Sequence, residues 1–234
     1  MKKLLILSLL VASAGATHAQ SIPAGTISLG GNVGYSRSSS KTSSGSGSNS
    51  FTTETTNSQF SIEPSVGYFV KDNLAIGLSL GYSAVRNNST YYSAVPGGYN
   101  QPELDPTTRF RIGAFAQYYH MLTEQFGFTG LLGAGYQSTH IYNYNDFGTG
   151  RPVAVDYKGS GYYASLTPGI VFFPIPKLGL GASIGSLGYS HMSYDYPTGR
   201  GFTAPMGYES TTSDFGASFG LSQLLLSGTY YFGR

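Results

Sequence analysis

Leu74, Ile76, Leu78, Leu80 and Tyr82 alternate with Ala75, Gly77, Ser79 and Gly81, the most regular pattern in the chain. A period of two is that of a β-strand, with successive side chains on opposite faces. One face is wholly apolar and the other is built of small residues. The segment before it behaves alike: Phe60, Ile62, Val66, Tyr68 and Val70 oppose Ser61, Glu63, Ser65 and Gly67, and Lys71-Asp72-Asn73 joins the two as a tight turn. The same reading gives a first strand over residues 25–37, with Ile27, Leu29, Val33 and Tyr35 on one face. Further strands follow over residues 107–120, from a turn at 121–125 to about 140, over 161–173, and from a turn at 174–177 to about 189. A closing strand starts near residue 213.

Short turns alternate with long connections over residues 38–57, 87–106, 141–158 and 190–212. Eight strands linked in this way predict an all-β, eight-stranded antiparallel up-and-down transmembrane β-barrel, its apolar face turned to lipid and its small face crowding the lumen. The tail fits, since Leu224, Leu226, Gly228, Tyr230 and Phe232 share one face against Leu225, Ser227, Thr229 and Tyr231. Aromatics fall at strand ends: Tyr68, Tyr118, Phe126, Phe172, Tyr230 and Phe232 for a belt at the short-turn end, and Tyr35, Tyr82, Phe110, Tyr136 and Tyr162 for the other. Ring side chains favour the headgroup level. Two irregularities stand out. Pro64 and Pro168 interrupt strands that have no free edge, which predicts a bulge at each. The last strand changes phase between Phe215, Ala217, Phe219 and Leu221 and the register from Leu224 onward. This predicts a bulge near Ser222 or a first half standing above the membrane.

Composition supports the lipid-facing wall. Charged residues are only 10% of the chain, with 33 glycines and 20 tyrosines, against roughly 25% charge in an average soluble domain. Residues 1–19 read as a cleavable signal peptide, with Lys2 and Lys3, an apolar core over residues 4–11, and Ala19 before the cut. The barrel domain is then 20–234. Without Lys2 and Lys3, 11 basic residues face 11 acidic ones, a balance that offers nothing to nucleic acid. No other run of about eighteen apolar residues suggests a spanning helix. With 0 cysteines the chain has neither a lipoprotein anchor nor a disulfide framework. The Ser/Thr/Gly tract of residues 38–57 reads as a low-complexity loop.

The hairpin of residues 64–82, the segment Phe110-Arg111-Ile112-Gly113-Ala114-Phe115-Ala116-Gln117-Tyr118-Tyr119, the run of residues 181–190 and the aromatic tail together resemble the small outer-membrane β-barrels of Gram-negative bacteria. They are similar in particular to the porin-like and OmpA-like barrel domains of the Bacteroidetes type. The resemblance implies a cell outer-membrane location with periplasmic termini, contact with membrane lipid and lipopolysaccharide, and a monomer. It also implies recognition of Tyr230 and Phe232 by the barrel-assembly machinery, with Gly233-Arg234 after them as a departure.

Three polar residues carry the sharpest candidate chemistry. Glu63, Arg109 and Arg111 lie opposite the lipid-facing residues of their strands, and Glu63 and Arg111 differ in height by about 5 Å for tilted strands. They would form either an ion-pair gate or a static pair that satisfies buried charge. His191-Met192-Ser193 with Glu209 resembles the His-x-Ser pair and distant Glu of outer-membrane lipid A deacylases, with Tyr194 where that family has Asn. A Ser nucleophile and His base would suit hydrolysis. His120 and His140 stand at opposite strand ends, so no metal and no cofactor is expected. Tyr91, Tyr92, Tyr142, Tyr144, Tyr194 and Tyr196 would offer contact surface in loops or pack on one another. The expectation is a non-enzymatic structural or surface-interaction barrel, the alternatives being a narrow channel and a lipid A-modifying hydrolase.

Overall fold

The computed structural model describes residues 21–44, 51–93, 104–145, 153–197, 204–220 and 224–234. The signal-peptide segment of residues 1–19 lies outside the described residues. The described chain is all β: β1 Ile27–Ser44, β2 Phe51–Lys71, β3 Leu74–Ser93, β4 Thr107–Met121, β5 Phe126–Asn145, β6 Val153–Ile175, β7 Leu178–Ser183, β8 Gly185–Tyr194, β9 Ser210–Phe219 and β10 Leu225–Phe232. Every pairing is antiparallel. β1 to β6 form a meander, β7 and β8 both pair with β6, and β10 joins β7 to β1. β7 and β8 are two halves of one stave, as are β9 and β10. The result is a closed eight-stranded barrel.

The wall follows the alternation. Residues 60–68, 74–82, 110–118 and 128–136 each carry outward-facing apolar side chains along nine positions of β2, β3, β4 and β5, which suits the 9–11 residues a tilted strand needs to cross a bilayer. The expected belt residues Tyr68, Tyr118, Phe172, Tyr230 and Phe232 at one end and Tyr35, Tyr82, Phe110, Tyr136 and Tyr162 at the other are all exposed on the outer surface.

The long connections are shorter than the sequence suggests. Residues 38–44 continue β1 and residues 51–57 begin β2, paired in register from Ser38 with Asn57 to Ser44 with Phe51. β3 likewise runs on to Ser93, β5 to Asn145 and β8 to Tyr194, while β6 begins at Val153 and β9 at Ser210. The reason is local: Thr and Tyr suit extended backbone, and facing hydroxyls bond across strands, as Ser43 Oγ and Thr52 Oγ1 do at 3.0 Å. Polar composition removes these residues from a core but not from a strand.

The prolines are accommodated without bulges in their own strands. β2 and β3 keep one register on both sides of Pro64 and simply omit the pairs at Glu63 and Pro64. Beside Pro168 the extra residue lies in the neighbouring stave, which breaks at Ile184 between β7 and β8. Gly185 there has φ 133°, and a Cβ on it would collide with the Ser218 carbonyl oxygen, so the kink requires glycine. In the last stave β9 ends at Phe219 and β10 starts at Leu225, and the bulge expected near Ser222 lies outside the described residues.

The core closes the short-turn end. Ile22, Phe69, Ala75, Tyr119, Met121, Val171, Phe173 and Tyr231 form one buried cluster. Asn73, at φ 62° in the first turn, accepts the Ile22 N–H at 2.7 Å and donates its own N–H to the Ile22 carbonyl at 2.9 Å. Asp72 accepts from Ala24 N–H at 2.9 Å. These bonds hold the segment before β1 across the base of the barrel, with Ile22 fully buried.

Candidate functional site

The lumen has an aromatic floor. Tyr231 is 1% exposed, and its ring centroid lies 6.1 Å from that of Phe69, 6.3 Å from Tyr119 and 5.3 Å from Phe173. The Tyr119 and Tyr231 hydroxyls share a hydrogen bond of 3.0 Å. The Arg234 guanidinium sits 3.8 Å over the Phe173 ring, a cation–π contact. The sequence marks this floor with bulky aromatics on faces otherwise made of small residues: Phe69 two positions after Gly67, and Tyr231 two after Thr229. Each stands at the end of a strand beside the base, where the barrel must be filled.

Above the floor lies a cavity of about 460 Å³. It is lined from Tyr119 and Tyr231 upward to Glu63 and Arg111. Small inward residues leave this space, among them Ser65, Gly133, Ser165 and Gly181. Glu63 on β2 and Arg111 on β4 flank Gly81 of β3, where a Cβ would lie 3.8 Å from Glu63 Cγ and 3.3 Å from Arg111 Cβ. Arg111 donates from Nε to Gln137 Oε1 at 3.3 Å and lies 4.9 Å from the Tyr163 ring centroid. Glu63 is near enough to act on Arg111 as the favourable charge and Arg109 as the opposing one. Arg109 shares the inward register of Arg111 one dyad higher but is exposed. The guanidinium of Arg111 is thus held chiefly by a neutral amide and a ring, a pairing that needed the register of β4, β5 and β6.

Higher on the barrel, aromatic and titratable residues pack on one another. His140 Nε2 lies 2.9 Å from Asp156 Oδ2, and its Nδ1 lies 3.3 Å from the Tyr142 hydroxyl, with the two rings 4.5 Å apart. The sequence places Asp156 in a loop, so this contact was not visible there. Tyr157 meets Tyr194 edge-on at 6.2 Å, and Tyr196 meets Tyr208 at 4.9 Å. Burial pushes the Tyr157 phenol above its ordinary value, and Tyr194 and Tyr208 add to the rise. Tyr142, Tyr144 and Tyr194 stand on strands rather than in loops, and Tyr196 just beyond β8. Tyr91 and Tyr92 lie on β3, their side chains outside the described set.

His191 stacks on Tyr162 at 5.1 Å and its Nδ1 lies 2.8 Å from Ser213 Oγ, on the neighbouring β9. Its hydroxyl partner is therefore Ser213 and not Ser193, and Glu209 is exposed. Among the described residues no group of three or more His, Cys, Asp and Glu could hold a metal. Tyr230 and Phe232 project outward from β10 and pack edge-on at 4.8 Å.

No family model matches the chain, and no curated protein does either. Among solved structures it is similar to the crystal structure of the N-terminal β-barrel domain of Pseudomonas aeruginosa OprF, at 14% identity and a TM-score of 0.35, over 91% of this chain and 100% of that one.

Proposed function

We propose that this chain is an outer-membrane barrel with a structural or surface-interaction role that carries no through-flow of solute. The observation that carries the reading is the floor: Ile22, Phe69, Tyr119, Phe173 and Tyr231 close the short-turn end with side chains that are nearly or wholly buried. Small eight-stranded barrels have interiors just wide enough to be filled by side chains, and here the filling is concentrated at one end. The outer wall, with its apolar residues between two aromatic belts, supports placement in a bilayer. In this reading the chain is a porin-like barrel of the Bacteroidetes type, exported by its signal peptide in a Gram-negative cell and monomeric, with the floor and short turns in the periplasm. Tyr230 and Phe232 serve the assembly machinery, and the upper strands with Tyr142, Tyr144, Tyr194 and Tyr196 meet lipopolysaccharide or a surface partner. Glu63, Arg109 and Arg111 organise the lumen, and no reaction is assigned to the chain.

A narrow channel is the second reading, favoured by the polar cavity between the floor and Arg111. Planar-bilayer recording of refolded protein separates the two. A silent bilayer with insertion shown independently supports the sealed barrel, and discrete conductance steps in the wild-type protein overturn it.

A further inference from the structure

The pairing that closes the barrel covers only the lower part of its last seam. β1 pairs with β10 from Ile27 with Phe232 to Asn32 with Ser227, and there the pairing ends. Above that point β1 continues to Ser44 with β2 as its partner, and β9 has β8 as its partner. Among the described residues no pairing joins β1 to β9. The two edges therefore face each other across an unpaired seam.

The seam begins at lipid depth. Leu166, on the outer wall of β6 below the Tyr162 belt position, pairs with Leu187 of β8, which pairs with Ala217 of β9. Tyr162 pairs with His191, and His191 with Ser213. Phe215, Ala217 and Phe219 thus follow the ladder below the Tyr162–His191–Ser213 line, around the level of the upper belt. On the other edge Tyr35 stands at the belt and Val33 below it. Phe215 at 75%, Tyr35 at 70%, Val33 at 66% and Leu226 at 65% are more exposed than any other apolar residue of the wall. All four flank the seam: β2 pairs with Val33 and Tyr35, β8 with Phe215 and β7 with Leu226 on the far side, and among the described residues no strand pairs with them on the seam side.

Hydrocarbon does not hydrogen-bond, so unpaired strand edges are disfavoured in a bilayer unless they border a water-filled or otherwise polar space. Such a space is present. The cavity above the floor is lined by Gly31 and Asn32 from one edge, by Asp214 and Gly216 from the other, and by Ser227 where the seam starts. The inner rim is polar and the outer rim aromatic or aliphatic.

We propose that the seam is a lateral portal through which a lipid-derived amphiphile enters from the outer leaflet. Its polar head occupies the cavity and its acyl chain remains between Val33 and Tyr35 on one side and Phe215 and Phe219 on the other. The surrounding leaflet supplies such molecules, and the cavity lies within the range of volumes that hold small ligands. The proposal rests on the reading that the chain spans a membrane.

The chain contains no tryptophan, so one inserted indole is an unambiguous reporter. Leu131 lines the cavity and Leu132, beside it, faces outward. The Leu131→Trp and Leu132→Trp proteins are refolded into phosphatidylcholine vesicles, and two single-chain phosphocholines are added in turn as quenchers, one carrying a nitroxide on its headgroup and one brominated on its acyl chain. Both are remade with Gly216→Phe, a position where a Cβ meets nothing within 4 Å, so that the ring fills the portal without displacing the fold. The expected result is quenching at position 131 by the headgroup nitroxide and at position 132 by the acyl bromine, with severalfold less at position 131 and no change at position 132 once Gly216→Phe is present. Equal quenching at position 131 with and without Gly216→Phe, or none in either, overturns the portal. Absence of quenching at position 132 overturns the membrane reading itself. A dimer in vesicles that Gly216→Phe dissociates would give the seam to a strand of a second copy and overturn the amphiphile.

Discussion

The two tyrosines of the floor offer a prediction whose magnitude follows from their contacts. Tyr119 is 3% and Tyr231 1% exposed, and their hydroxyls meet at 3.0 Å amid Phe69 and Phe173. Thr229, two residues back on the same inner face, brings a further hydroxyl beside that of Tyr231. Tyr231→Phe therefore leaves the Tyr119 hydroxyl buried without its partner, and should cost about 1–3 kcal/mol. Tyr119→Phe leaves the Tyr231 hydroxyl with that of Thr229 close by and should cost about 0.5–1.5 kcal/mol, an ordinary hydrogen bond. The double variant orphans no group at position 119, so its cost should fall below the sum by about 1–2 kcal/mol, the size of coupling seen between hydrogen-bonded neighbours. Equilibrium urea unfolding in lipid vesicles measures all four proteins. Strictly additive costs, or Tyr119→Phe as the more damaging change, would refute the assignment of these hydroxyls to one dry floor.

The other predictions concern sealing and packing. Phe173→Ala removes the ring beneath Arg234 and beside Tyr231. It should lose about 3–5 kcal/mol of stability and give conductance steps where the wild-type bilayer is silent; a silent Phe173→Ala bilayer would mean that the floor is not the seal. Arg111→Ala should leave the bilayer silent, because the floor lies below it. Steps in that variant would favour the ion-pair gate. Gly77→Ala would press a methyl group onto the Val66 carbonyl, the Gly67 Cα and the Phe115 ring. The crowding should cost about 1–3 kcal/mol, read as a lower urea midpoint, and an unchanged midpoint would show that β2 and β3 part easily.

The sequence carries the barrel wherever one face must be greasy. In β3 five alternate apolar residues against Ala, Gly and Ser match a wall with a narrow lumen behind it, a pattern a soluble sandwich could share, and the alternation of short and long connections favours the barrel. Beyond the apolar band of the wall that contrast disappears. Residues 38–44 and 51–57 look like linker, yet pair in register, because β-structure beyond the apolar band needs hydrogen-bonding backbone and compatible side chains but no apolar face. The same blindness turned Tyr142, Tyr144 and Tyr194 into loop residues. Glu63 and Arg111 could be placed in the lumen from parity alone. That Arg111 engages Gln137 and Tyr163 depends on the register of β4 against β5 and of β5 against β6, which a pattern of period two does not specify.

The phase change in the last stave is the instructive case. A bulge would restore the alternation, and the residue pattern from Phe215 to Leu226 fits that expectation; the position near Ser222 lies outside the described residues, but the pairing on either side of it is described. β9 stays with β8 beyond the kink at Gly185, while β10 turns to β7 and β1, so one irregularity in sequence separates two neighbours along a barrel edge. The floor and the seam are then linked in consequence. With Phe69, Phe173 and Tyr231 filling the base, the cavity has no exit along the barrel axis toward the short turns. An opening between β1 and β9 gives it a route whose outer rim is apolar and whose inner rim carries Asn32 and Asp214. A sealed floor would trap a solute that entered from above, but it suits a molecule that enters sideways and leaves its tail in the membrane.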